Sequence, residues 1–135
     1  ATYNSPNAFT ASTLTISGVT TSSTAVGFVN EITFTISPTV AIPAGGRIQI
    51  QFPSVGGIAR VEVLTVIYAP VTVSSSGTNA YIDLSRKYVA SDGNIQVRVT
   101  VINPSTAGSY SITAQFLYSG ASGLVIAQGT LASAY

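Results

Sequence analysis

The stretch Arg47-Ile48-Gln49-Ile50-Gln51-Phe52 alternates polar and apolar side chains at every step, a period that sorts them onto the two sides of a strand and onto no single face of a helix. Ile48, Ile50 and Phe52 are expected to face a core and Arg47, Gln49 and Gln51 to face water, with Pro43 and Pro53 bracketing the strand. The same period recurs at residues 31–37, where Ile32, Phe34 and Ile36 point inward against Thr33 and Thr35, and at residues 95–101 around Gln96, Arg98 and Thr100. Further strands are predicted at residues 14–19, 60–68, 71–74, 80–84, 109–118 and 124–131. Clusters of Gly, Pro, Ser and Asn separate the runs, and helical periodicity is nearly missing. Turn chemistry fits: Ala44-Gly45-Gly46 and Asp92-Gly93-Asn94 suit tight turns, and Asn103-Pro104 ends a strand by removing a ladder donor. Eight or nine short strands of this kind predict an all-β chain folded as a two-sheet antiparallel sandwich.

With 135 residues, no dividing linker and no internal repeat, the chain is read as a single β-sandwich domain over 1–135, with 1–16 set apart as a candidate donor strand or N-terminal extension. Only nine residues are charged (Glu31, Arg47, Arg60, Glu62, Asp83, Arg86, Lys87, Asp92, Arg98), or 7%, where a soluble domain ordinarily carries about 25%. Net charge is +1 and mean hydropathy +0.47. Such a surface lacks the repulsion that disperses free monomers, so assembly, glycosylation or both are expected. Serine and threonine, 18 and 17 in number, supply most of the polarity.

The same arithmetic excludes chemistry. Without histidine or cysteine there is no imidazole base, thiolate nucleophile, zinc-thiolate site or disulfide. The serines lack a histidine partner, and Lys87 does not follow a serine at the spacing of serine–lysine enzymes. Glu62 alternates with Arg60 on one strand face and reads as half of an exposed ion pair, while Asp83 and Asp92 sit near turns or strand ends. Asp92-Gly93-Asn94 lacks the spaced oxygens of a calcium loop, and Ala44-Gly45-Gly46-Arg47 lacks the helix N-terminus of a phosphate cradle. No catalytic, metal or cofactor site is expected. Five scattered basic residues make no nucleic-acid stripe. The most apolar stretch, residues 61–73, is interrupted by Glu62, Thr65, Pro70 and Thr72, short of the roughly 18 apolar residues of a membrane helix. A start at Ala1 and no methionine anywhere fit a processed, oxidation-resistant extracellular product.

Residues Ala107-Gly108-Ser109-Tyr110-Ser111-Ile112 resemble the approach to strand F in immunoglobulin-like sandwiches, where a tyrosine hydroxyl bonds back to nearby backbone. The run from Ile42 through Gly45-Gly46 and Arg47 to Pro53 is similar to stretches in secreted surface and fibre proteins of microbes. The resemblance is to a broad group, immunoglobulin-like surface or pilus subunits. It implies a structural corner at Tyr110, although the group's inter-sheet cysteine pair and core tryptophan are missing here. In some Gram-positive members a lysine forms an internal amide with an asparagine, which would here join Lys87 to Asn30, Asn79 or Asn103, promoted by Glu31 or Glu62. A solvated lysine beside Arg86 is the plainer reading.

Sheet edges with few charges invite pairing. The chain is therefore read as an extracellular structural protein that polymerises with identical subunits into a filament, pilus or surface lattice by β-strand complementation. The donor candidates are Phe9, Leu14 and Ile16 near the N-terminus, which is favoured, and Leu124 and Ile126 near the C-terminus. The rival is a secreted carbohydrate-binding or adhesin module that takes surface glycans on Tyr68, Tyr81, Tyr88 and Tyr118, and a virion or phage structural protein is a third reading. No usable asparagine sequon is present, because Pro104 follows Asn103, so glycans would be O-linked, with Thr20, Thr21, Ser22, Ser23 and Thr24 the obvious cluster.

Overall fold

In the computed structural model, residues 12–37, 45–52, 55–64, 71–84, 93–117 and 125–131 are described. Alternation becomes ten strands: β1 (Ser12–Thr13), β2 (Thr15–Thr21), β3 (Val29–Ser37), β4 (Arg47–Gln51), β5 (Gly57–Val63), β6 (Val71–Ser76), β7 (Asn79–Leu84), β8 (Ile95–Ile102), β9 (Ile112–Leu117) and β10 (Val125–Leu131). They form a six-stranded sheet, β1-β10-β9-β4-β7-β6, over a four-stranded sheet, β2-β3-β8-β5. All neighbours are antiparallel except β1 and β10, which run parallel. The fold is an immunoglobulin-like β-sandwich in which β4 pairs with β7 after the chain has visited the opposite sheet as β5.

The period-two face of each strand becomes the core. Ile32, Phe34 and Ile36 of β3 and Ile95, Val97, Val99 and Val101 of β8 are fully buried, opposite Ile48 and Ile50 of β4, Ile82 of β7 and Ile112 and Phe116 of β9. Each such side chain contributes about 1.5–3 kcal/mol by leaving water. Phe52 lies just past β4 and still fills the interior, edge-on to Phe34 at 6.2 Å between ring centroids.

Most strands start or end within two residues of expectation, and the larger differences fall at β5, β9 and β1. β5 begins earlier, at Gly57, and ends at Val63, while residues 65–68 of the predicted strand lie outside the described residues. β9 begins at Ile112 and not at 109, because Tyr110 is engaged in a turn. β1 falls in the 1–16 segment expected as a candidate donor but pairs with the chain's own β10: it lies at one margin of the six-stranded sheet, and after a single residue, Leu14, the chain continues as β2 in the other sheet. Leu14 N–H donates to the Gln128 carbonyl at 2.8 Å. A Cβ on Gly129 would collide with the Leu14 carbonyl, so this crossing of sheets requires glycine there.

Candidate assembly surfaces

The outer face of the six-stranded sheet is a lattice of amides and hydroxyls. Register places Gln128, Gln115, Gln49 and Tyr81 in one row across β10, β9, β4 and β7, and Thr130, Thr113, Gln51 and Asn79 in the next. Gln115 Nε2 donates to Gln128 Oε1 at 3.4 Å, and the Thr113 and Thr130 hydroxyls lie 3.0 Å apart. The described charges of this sheet occupy one corner: Arg47 Nε and Nη2 donate to Asp83 at 2.6 and 3.2 Å, with the guanidinium 4.5 Å from the Tyr81 ring centroid. Such a face packs against another without stripping ions of water.

The four-stranded sheet is different. Arg98 forks onto Glu62 at 3.3 and 3.0 Å across β8 and β5, and Arg60 Nε approaches Glu62 at 3.4 Å. The hydrogen bond from Arg98, with the Arg60 charge beside it, holds the Glu62 carboxyl below the usual carboxylate range against the opposing pull of burial. The ion pair expected between Glu62 and Arg60 thus includes a closer second arginine.

One end of the sandwich carries an apolar tip. Phe28 is 64% exposed, Val29 62%, Val26 48% and Ile102 41%, and Val29 sits directly opposite Ile102 in the β3–β8 ladder. These residues are held in place by two buried asparagines. Asn30 Nδ2 donates to Asn103 Oδ1 at 2.9 Å; Asn30 Oδ1 accepts from the N–H groups of Ser22 and Ser23, and Asn103 Nδ2 donates to the carbonyls of Ser23 and Ala25. The loop is thereby bound to the start of β3 and the end of β8. A cavity of about 350 Å³ opens above this pair, walled by Thr21, Thr24, Thr106, Ser109 and Tyr110 among others. Its two floor amides already serve the backbone.

The residues singled out from sequence fall as follows. Leu14 and Ile16 are buried in the chain's own core, and Ile126 packs against it; Phe9 and Leu124 lie outside the described residues. Tyr110 Oη donates to the Thr106 carbonyl. Thr20, Thr21 and Thr24 are exposed; the Ser22 hydroxyl accepts from Glu31 N–H and the Ser23 hydroxyl from Ala25 N–H, so these two hydroxyls are engaged in the turn. Lys87, Tyr68, Tyr88 and Tyr118 lie outside the described residues, whereas Asn30 and Asn103 are engaged with each other. The asparagine pair was missed in the sequence although its signal was there: Asn30 is in phase with Ile32 and Phe34, and Asn103 with Val99 and Val101. Among the described residues, no cluster of three or more metal-ligating side chains occurs, and no helix is long and apolar enough to cross a membrane.

No protein-family profile and no curated protein matches the chain. Among solved structures it is similar to BslA, described as a bacterial hydrophobin, at 16% identity over 94% of this chain and 96% of that one, with a TM-score of 0.53. An immunoglobulin-like protein from Nocardia farcinica matches at 13% identity over 91% and 99% with a TM-score of 0.42. A non-cellulosomal cohesin from the hyperthermophilic archaeon Archaeoglobus fulgidus matches at 13% over 79% and 81%, also at 0.42. At these identities the likeness is one of fold.

Proposed function

We propose that the chain is an extracellular structural protein, without catalytic activity, whose copies assemble into a filament, pilus or surface lattice by donating a β-strand from one subunit to the next. The observation that carries this reading is the amide and hydroxyl lattice over the six-stranded sheet, whose described charges are confined to the paired Arg47 and Asp83 at one corner. The apolar tip adds to it, because an isolated subunit leaves Phe28, Val29 and Ile102 in water. Likeness in fold to a protein described as a bacterial hydrophobin supports a place outside the cell. The carbohydrate-binding reading loses one stacking ring, because the Arg47 guanidinium lies over Tyr81.

Size-exclusion chromatography with negative-stain microscopy of the purified chain tests the proposal. Long polymers are expected, and deletion of residues 1–13 leaves soluble or unstable subunits. A wild-type chain that stays monomeric at high concentration, or filaments of unchanged length after the deletion, contradict it.

A further inference from the structure

We propose that the edge of β6, which no described strand covers, is the acceptor for the donated strand, and that residues 1–11 of a second copy extend the six-stranded sheet along Val71–Ser76. This rests on the self-assembly reading and adds to it a place and a partner segment. A sheet margin left open is a template for pairing unless a bulge, charge, proline or covering strand blunts it. Three margins are blunted. β2 is broken by a register shift between Ser17 and Thr20, with Gly18 at φ 62°. β5 shifts between Ile58 and Arg60 and carries the Arg60 and Glu62 charges. The far margin of the six-stranded sheet is the two-residue β1, too short to serve as a template, which pairs with β10 at Ala127 and Gln128 beside the β10 register shift.

β6 has none of these devices. It pairs with β7 from Val71–Leu84 to Ser76–Asn79 without a shift, has no charge or proline, and exposes every residue from Thr72 to Ser76. No described strand lies beyond it. Under this margin a groove of about 450 Å³ separates β6 from β5, with Val61 and Val73 in its walls and the paired Arg60 and Glu62 along its β5 side.

Three features assign the occupant. No charged residue precedes Glu31, so residues 1–11 bring no charged side chain of their own to the uncharged β6. Eleven extended residues span about 36 Å against about 20 Å for a six-residue edge, and Phe9, central in the run 7–11 that follows Pro6, supplies an apolar side chain for the groove. Finally, β1 sits at the margin opposite β6. Each copy therefore gives from one margin and accepts at the other, a heterologous contact of the kind that propagates as a filament when its rotation does not close a ring.

The full chain contains no cysteine, which permits a clean cross-linking test. Thr10→Cys and Ser75→Cys chains, differently tagged, are mixed under assembly conditions and treated with a short bismaleimide, which tolerates a small register error. A covalent dimer carrying both tags is expected. Val73→Lys, which sets an ammonium on the inward side of the edge, lowers the yield of that dimer about tenfold while the urea midpoint of the subunit stays near wild type. Filaments that give no mixed-tag link, that link only Ser75→Cys to itself, or that form unabated with Val73→Lys overturn the acceptor assignment and leave self-assembly standing. A wild-type chain that never assembles overturns both.

Discussion

The two sheets are built from the same alternating strands and bury equivalent aliphatic faces, yet they present opposite surfaces. The four-stranded sheet spends charge on its exterior, linking Arg60, Glu62 and Arg98 across β5 and β8, and bends both of its margins with register shifts. The six-stranded sheet keeps its few described charges at the Arg47–Asp83 corner and ends on a straight, uncharged β6. The core does not account for the difference, since both inner faces are equally dry. The described charge network is concentrated on one layer, and the other presents a largely neutral polar face.

The largest effect is expected at the point where the chain leaves one sheet for the other. Gly129→Val drives a side chain into the Leu14 backbone and costs more than about 3 kcal/mol, read as a lower urea midpoint. A smaller loss follows removal of the lock behind the apolar tip. Asn30→Ala leaves Asn103 Oδ1 and the Ser23 N–H without their partner, while Ser22 N–H keeps the Glu31 carbonyl, and costs about 1–3 kcal/mol; a midpoint equal to wild type would mean water replaces the amide.

On the neutral face, Gln49→Lys with Gln115→Lys places like charges directly opposite each other and destabilises the subunit by no more than about 1 kcal/mol. Assembly of that variant becomes strongly salt-dependent by light scattering, and unchanged assembly at low salt would remove the face from the contact. The mildest perturbation is acid. Glu62 in the folded chain titrates below its unfolded value, so its contribution is present at neutral pH and is lost as pH falls through the folded pKa. Stability measured across that acid window should fall less for Glu62→Gln than for wild type, and identical slopes would show that the Arg98 fork contributes nothing.

Alternation alone revealed most of this architecture, because one dry face per strand forces a period of two that survives in the sequence. Residues 31–37, 47–52 and 95–101 were placed inward and outward correctly for that reason. Tyr110 Oη donates to the Thr106 carbonyl, a contact whose two ends lie four residues apart, in and just before the run that carried the resemblance. The sheet switch at Leu14 was not legible, because a two-residue strand carries no periodicity and its requirement resides in a glycine 115 positions later. Nor was the contrast between margins legible: whether Val71–Ser76 ends a sheet or lies within one depends on pairing order, which neutral residues do not encode. Arg98 as the closer partner of Glu62 was hidden likewise, 36 residues away across β5 and β8.

Hydrogen–deuterium exchange of assembled material against dissociated subunits addresses the assembly directly. Amides of β6 should gain strong protection on assembly while those of β5, its neighbour on the same flank, stay unchanged. Equal gains on both strands, or none on β6, would contradict the assignment of contact to the six-stranded sheet.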